Sequence, residues 1–211
     1  MFKVKLKNNI NFICIFFLSL ILFKSSLLAN SSGTSLEDGA RNKNLGFEEK
    51  DRDSVVVIQQ KFLRDIELGR IDKIKLFIKN NGPDINFIIN ETNPLIHAVS
   101  VNNLEIVNFF FKNTSVNIDF TDELGNTALM KACENGSLEI VNYLIENGAD
   151  INHQNKQGYT PAMKATERNN FYVFKLLIEN NADVTKSDFS GRTIKDIAEN
   201  SRARRILKLL N

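Results

Sequence analysis

Apolar residues in the second half of the chain recur three and four positions apart, in short stretches that return after a constant interval. Such spacing places the apolar side chains on one face of a helix. Each stretch follows a shorter segment of small apolar residues, so the pattern predicts pairs of short helices. One stripe comprises Leu138, Ile140, Val141, Leu144 and Ile145, and its counterpart comprises Phe171, Val173, Phe174, Leu177 and Ile178.

A six-residue element repeats along the chain with a fixed period. The segment Thr127–Ala132 recurs at Thr160–Ala165 and again at Thr193–Ala198, with the same spacing both times. The segment Asn93–Ala98 is the same element in the preceding unit, displaced by one further position. A constant period of about 33 residues indicates a solenoid, in which each unit buries its apolar face only against its neighbours.

Polar residues and glycines mark the predicted helix boundaries. A side-chain oxygen before a helix accepts a free backbone N–H, and a proline at the next position loses no hydrogen bond. Gly148 and Asn181 are predicted to end second helices in the left-handed conformation. Predicted caps of the first helices are Asn93, Thr127, Thr160 and Thr193, and predicted caps of the second helices are Asn103, Ser137 and Asn170.

The segment Gly125-Asn-Thr-Ala-Leu-Met-Lys-Ala132, taken with Asn147-Gly-Ala-Asp-Ile-Asn152, resembles the ankyrin repeat, which is a turn followed by two antiparallel helices. The resemblance implies an all-α solenoid of about five helix-turn-helix units with short β-turn fingers, over residues 54–211. The units are expected near residues 54–87, 88–121, 122–154, 155–187 and 188–211, with atypical end units.

The chain departs from the family pattern in two ways. The residues Ile96, Met130, Met163 and Asp196 replace the usual histidine of the first helix. We therefore expect the family's hydrogen-bond chain between repeats to be absent, so that packing does more of the work. The turn before Asn93 lacks the glycine and is one residue shorter than the next turn, so we expect an irregular finger there.

The N-terminus has the pattern of a secretory signal. Three lysines precede an apolar run, residues 12–23, which is too short to span a membrane. We interpret residues 1–29 as a leader that directs the chain to the periplasm or to secretion. Leu27 makes a poor cleavage site after Ala29, so an uncleaved membrane anchor, with the protein facing outward, stays the alternative. Frequent Asn, Ile, Lys and Phe suggest an AT-rich genome, which favours a bacterial source.

Residues 30–53 are rich in Ser, Gly, Asn and charge, with few apolar residues. Such a segment buries too little apolar area to offset its ordering entropy. It is predicted to be a flexible spacer, either a tether or a frayed end without a role.

The composition and the candidate reactive residues argue against catalysis. The formal charge is +2, and four lysines of the leader leave the rest of the chain slightly acidic, which argues against a nucleic-acid partner. Cys133 is predicted to be an inert core thiol. His97 and His153 belong to different repeat units, and neither has further ligands at metal-binding spacing. We expect no catalytic residue, no cofactor and no metal, and therefore no enzyme.

The resemblance implies a partner surface on one concave face, which consists of the turn tips and the exposed side of the first helices. There, Lys131 and Lys164 align with His97 in a basic column suited to an acidic loop, and Tyr159 is a candidate aromatic anchor. The alternative is that each residue is merely a solvated polar position. The candidate residues are His97, Glu123, Leu124, Asn126, Lys131, Glu134, Asn135, Lys156, Gln157, Tyr159, Lys164, Glu167 and Arg168.

The sequence thus predicts an exported, monomeric module that binds a protein partner of unknown identity. The alternative is an accessory or chaperone-like factor that stabilises an exported enzyme. The stretch 192–211 carries six basic residues against two acidic ones. It is predicted to be the polar outer face of a capping helix, with Ile206, Leu207 and Leu210 turned inward, while a role of Arg204 and Arg205 at a membrane surface or nucleic acid stays open.

Overall fold

The structure, a computed structural model, describes the backbone of residues 49–210 and the side chains of residues 54–210. The predicted leader, residues 1–29, and the spacer up to residue 48 lie outside the described residues. Within the described range the chain forms ten helices, and its only β-pairing consists of isolated bridges. None of these helices is both long enough and apolar enough to cross a membrane.

The helices form five consecutive pairs, which confirms the predicted all-α repeat solenoid. The first helices stack in one layer and the later second helices pack beside one another in another layer. The pairs are α1 (Glu49–Glu67) with α2 (Ile71–Asn81), α3 (Pro94–Ser100) with α4 (Leu104–Asn113), α5 (Ala128–Asn135) with α6 (Leu138–Glu146), α7 (Pro161–Glu167) with α8 (Phe171–Glu179), and α9 (Ile194–Asn200) with α10 (Arg204–Leu210).

Helix α1 begins before the predicted start of the first unit. Residues 49–53, which we counted with the spacer, belong to this helix. No glycine or proline occurs between residues 47 and 68, so nothing in the local sequence stops the helix from extending toward the N-terminus. The boundary at residue 53, which rested on a change in composition, therefore cuts through the first helix.

The predicted caps of the first helices are all present. The side chains of Asn93, Thr127, Thr160 and Thr193 each accept the backbone N–H three residues ahead. In α9 the cap is reciprocal, because the Asp196 carboxylate also accepts the backbone N–H of Thr193 at 2.8 Å. These bonds fix where each first helix begins.

The prediction for the second helices is right for Asn103 and wrong for the other two. Asn103 accepts the N–H of Ile106 at 3.0 Å, whereas Ser137 and Asn170 make no side-chain cap. The Asn170 side chain instead donates to the carbonyls of Cys133 and Glu134 in the preceding unit, both at 2.9 Å. The last carbonyls of a helix have no partner within that helix. The Asn170 side chain donates to two of them at the end of α5 and does not cap its own helix.

Hydrogen bonds between repeats run through the loops. The side-chain oxygens of Asn86, Asp119 and Asn152 accept backbone N–H groups of the next unit at 2.7, 3.0 and 2.7 Å. The donors are Asn117, Asp150 and Asp183, each 31 residues further along. We call these three bonds the loop bonds. They supply a connection between units that does not need the family's histidine, whose positions are filled by buried Met130 and Met163.

The turn fingers form a second series of bonds. The N–H of Lys156 donates to the carbonyl of Leu124 at 3.1 Å, and the N–H of Phe189 donates to Gln157 at 3.1 Å. His153 adds a side-chain bond from Nε2 to the carbonyl of Gly125 at 2.9 Å. The fingers therefore hold one another in place along the array.

The first finger is tighter than the others, where we expected an irregular one. Ile89 and Thr92 exchange both backbone hydrogen bonds across a two-residue turn. Asn90 and Glu91 occupy its centre with φ of 50° and 65°, as a type I′ turn requires. The missing glycine and the lost residue are thus accommodated by a shorter, regular hairpin.

The core is one apolar cluster that runs through all units. The N-terminal unit closes it with aromatic rings, and Phe62 stacks on Phe77 with ring centroids 3.9 Å apart. Phe110 and Phe174 fill the middle of later units and are completely buried. Each unit buries these rings against its neighbours, so an isolated unit would expose them.

We predict that Gly158→Ala destabilises the protein more than Gly191→Ala, although both glycines have φ of +80°. Alanine in this conformation costs about 1 kcal/mol at either position. At position 158 the new Cβ would also lie 2.5 Å from the N atom of Phe189, whereas at position 191 it meets nothing within 4 Å. The overlap adds about 1–3 kcal/mol. Chemical denaturation of both variants measures the difference, and equal losses would contradict the finger packing described here.

Candidate functional site

The structure brings most of the predicted partner residues to the side formed by the first helices and the finger tips. Seven of them are exposed: Glu123, Leu124, Asn135, Lys156, Gln157, Glu167 and Arg168. Five are half-buried: His97, Asn126, Lys131, Glu134 and Lys164. Tyr159 is buried, with 6% of its surface exposed. The candidates are therefore on one side, but they differ in how far a partner can reach them.

The predicted basic column is paired with acidic side chains. Lys131 Nζ lies 3.0 Å from Glu134, and Arg168 of the next unit donates to the other oxygen of the same carboxylate at 2.6 Å. Lys164 lies 3.9 Å from Glu167. Because positions 134 and 167 are equivalent in the repeat, each lysine has an acid one helical turn ahead. Both lysines of the predicted column are thus paired with carboxylates, so an acidic loop of a partner would compete with Glu134 and Glu167 for them.

Glu134 is the centre of this network. Burial acts to raise the pKa of its carboxyl group, but hydrogen bonds from Arg168 and Lys131, with the nearby charge of Lys164, outweigh it and lower the pKa below its usual value. The carboxylate links α5 to the loop after α7, so it ties two units together. It is as much a structural bond between units as a possible contact for a partner.

Tyr159 is not the exposed anchor that we predicted. Its position in the repeat directs the ring inward beneath the next finger, where Arg192 Nη2 donates to its hydroxyl group at 2.9 Å. Lys164 Nζ lies 4.9 Å from the ring centroid. Burial, followed by the charge of Glu167, raises the pKa of the phenol. The ring supports the last finger, and little of its surface is left to a partner.

Two candidate amides also belong to the scaffold. Asn135 donates from Nδ2 to the carbonyl of Val99 at 3.2 Å, one unit back. Asn126 donates to Asp122 at 3.0 Å and accepts from Asn155 at 2.7 Å. Since both amides already donate to other residues of the array, they are weaker candidates for contact with a partner.

His97 differs from the two lysines because it lies at the contact with the first unit. Helix α1 packs on α3, and the Nε2 atom of the imidazole is buried with no hydrogen-bond partner among the described residues. Burial lowers the pKa of His97, although the charge of Glu67 and a hydrogen bond with the Leu63 backbone oppose the shift. His97 therefore belongs to the interface between the first two units.

The most exposed apolar groups on this side lie at the finger tips. Leu124 is 58% exposed and Phe189 is 71% exposed, and the polar finger of Lys156 and Gln157 separates them. Phe189 was not among the predicted partner residues, although it occupies the same repeat position as Glu123 and Lys156, which were.

A recess of about 350 Å³ lies beside Phe189. Its walls include the side chains of Gln157, Lys164, Glu167 and Arg192. Arg192 pairs with the buried Asp188 at 2.7 Å, and hydrogen bonds from Arg192 and Ser190 outweigh burial and lower the pKa of Asp188. The recess therefore offers polar groups whose charges are already balanced, next to one exposed aromatic ring.

Two observations on residues 54–210 concern reactive side chains. Cys133 is completely buried, and burial raises the pKa of its thiol far above the usual range, so it is held as the neutral thiol. No group of three His, Cys, Asp or Glu side chains within those residues is arranged to hold a metal ion.

Comparison with known families adds two overlapping matches. A family described as ankyrin repeats in three copies matches residues 65–155. A second, described as ankyrin repeats in many copies, matches residues 144–198. Together they include most of the described helices. No curated protein matches the chain.

We predict that acid weakens the folded state through His97. The pKa of this imidazole is lowered by folding, so the unfolded chain binds the proton more readily. The associated stability is complete above pH 6.5, the ordinary value, and declines as the pH falls below it. Denaturant midpoints at pH 7.5 and 5.5 measure the effect. His97→Leu, which cannot titrate, should lose less over this interval, and an unchanged difference would remove His97 as the cause.

Glu134→Gln is expected to destabilise the protein more than Glu167→Gln, which removes the same charge at the equivalent position. Glu134 joins Lys131 and Arg168, whereas Glu167 has one distant partner. Since folding lowers the Glu134 pKa, its contribution is present above pH 4.5 and disappears as the carboxylate is protonated at lower pH. Thermal unfolding between pH 3 and 7 should show a shallower acid decline for Glu134→Gln. Identical curves for the two variants would refute the network.

Proposed function

The chain belongs to the ankyrin-repeat family, and on that premise we propose that it is an exported module that binds a protein partner with its concave face and finger tips. Ankyrin repeats generally mediate protein–protein interactions, and proteins built from them are typically not enzymes.

The observation that carries the proposal is the pair of exposed apolar side chains at the finger tips, Leu124 and Phe189. Large apolar groups on a soluble surface commonly mark interaction sites, and aromatic side chains provide much of the binding energy of interfaces. Backbone bonds between successive fingers hold both tips in place. The surface is therefore preorganised, so binding costs little entropy for ordering the finger tips.

The polar groups around the tips suit the rim of such an interface. Lys156 and Gln157 lie between the two apolar tips, and the recess with Lys164 and Glu167 lies beside Phe189. Since the ion pairs there are already formed, a partner that matches their arrangement keeps them, while a mismatched one breaks them. We expect these residues to determine specificity more than affinity.

The remaining parts of the proposal rest on the sequence. The leader, residues 1–29, would direct the chain to the periplasm or to secretion, or retain it as an outward-facing membrane protein if it is not cleaved. The spacer would then separate the repeats from the export site. We propose that the repeat domain acts as a monomer toward its partner.

The test compares three full-length chains as baits in an affinity capture from native extract. The first is the wild type, the second is Leu124→Ser with Phe189→Ser, and the third is a control, Leu76→Ser with Leu138→Ser, which removes exposed apolar groups from second helices. We expect one partner to be retained by the wild type and the control, and to fall at least about tenfold with the finger variant, because interface anchors contribute about 1 kcal/mol or more each.

Equal recovery of that partner by all three chains would contradict the proposed surface. A captured partner also permits a second measurement, its activity and lifetime in cells that lack this chain. A partner that loses activity without the chain would indicate the accessory or chaperone-like role, whereas an unaffected partner indicates binding alone.

A further inference from the structure

The last helix, α10, presents cations on its outer face. Its inner face holds the fully buried Ile206, with Leu207 and Leu210 half-buried beside it. The outer face carries Arg204, Arg205 and Lys208, which are exposed, and Lys208 lies three and four positions from the two arginines, so its side chain is close to both. Leu209 lies on the same face and is 47% exposed. The helix thus covers the core and faces outward with charge.

Unlike the lysines of the concave face, these cations have no acidic partner among the residues whose side chains the structure describes. Among residues 54–210, no carboxylate lies within 4 Å of the charged groups of Arg202, Arg204, Arg205 or Lys208. The nearby acids are engaged elsewhere or outnumbered. Glu179 lies 3.6 Å from Lys175, and Asp196 is held by Thr193 in the cap of α9. Residues 194–210 carry five basic side chains against the two acids Asp196 and Glu199, so the segment has a net charge of 5 − 2 = +3.

Aromatic side chains extend this charged surface onto α8. The Arg205 guanidinium lies 3.8 Å from the ring centroid of Phe171 and 5.0 Å from that of Tyr172. Phe171 is half-buried, whereas Tyr172 is 63% exposed. The stacked rings hold Arg205 in position and leave the phenol projecting beside it. We call the surface of Tyr172, Arg204, Arg205, Lys208 and Leu209 the cap surface.

We propose that the cap surface binds an anionic membrane, with the cations on lipid phosphates and with Tyr172 and Leu209 in the headgroup region. Unpaired Arg and Lys are attracted to an anionic leaflet. An exposed phenol and an aliphatic tip beside them match the aromatic and apolar groups that settle at a membrane–water interface. An acidic protein would satisfy the charges as well, and the test below therefore includes a soluble acidic polymer.

This contact leaves the concave face free. The cap surface is built on α8 and α10, the second helices of their units, whereas Leu124 and Phe189 lie on the fingers. A chain held at a membrane by its last unit can therefore capture a partner at the same time. The inference is independent of the proposed function, and it does not require the leader to remain attached.

The test measures amide hydrogen exchange of the full-length chain on two kinds of vesicle. One is phosphatidylcholine alone, and the other contains about 30% phosphatidylglycerol, which gives the surface a negative potential. Hydrogen exchange is measured for each peptide separately. It therefore reports contact at the cap surface even if the leader, residues 1–29, also binds the vesicle. We expect the peptides covering 171–179 and 201–210 to be protected only on the anionic vesicles. In Arg204→Glu with Lys208→Glu this protection should be lost, and in the milder Arg204→Gln with Lys208→Gln it should be reduced.

The control variant is Lys79→Glu with Lys112→Glu, which makes the same charge change at exposed second-helix positions in other units. It should retain the protection, and Tyr172→Ser should lower it at high salt, where the charge contribution is screened. Absence of protection on anionic vesicles, or protection that survives charge reversal at the cap, would overturn the proposal. Protection by soluble polyglutamate and none by vesicles would also overturn it, and would assign the surface to an acidic protein.

Discussion

The structure depends on the hydrogen bonds that join each unit to the next. A single helix pair cannot bury the rings and branched side chains that it carries, so every unit needs a neighbour in a fixed position. The loop bonds from Asn86, Asp119 and Asn152 provide that position, because the backbone N–H of each acceptor residue is itself held by the side chain two residues earlier. The finger bonds repeat the connection at the other end of each unit. The loop bonds and the finger bonds together hold the proposed partner surface in place.

The sequence was sufficient for the fold because the fold depends on features that repeat. The constant period, the helical stripes and the capping residues Thr127, Thr160 and Thr193 each predict a local structure, and each is present. The predictions that were wrong concern residues whose environment differs from unit to unit. Asn170 stands where a capping residue is expected, yet its side-chain amide donates hydrogen bonds to the preceding first helix. The sequence of its own unit does not indicate this contact.

The sequence predicted which side of the array the candidate residues lie on, but it predicted less well how exposed each of them is. Repeat position identified the side of the array that holds Lys131, Lys164 and Tyr159, but burial of the tyrosine depends on Arg192 in the next unit, which is not a repeating residue. Likewise, the pairing of Lys131 needs Glu134 and Arg168 together, across two units. Periodicity shows which positions are equivalent, whereas the contacts between units depend on how the residues differ.

The hydrogen bonds between units also constrain how the chain folds. Those between side chains and neighbouring units in the described part join residues 27 to 37 positions apart. Low contact order of this kind favours rapid folding, and in such an array structure starts at any stable pair of units and propagates outward. A chain that emerges gradually, during synthesis or during passage across a membrane, can therefore complete its first pairs before the last unit is available. Folding of this protein need not wait for its C-terminus.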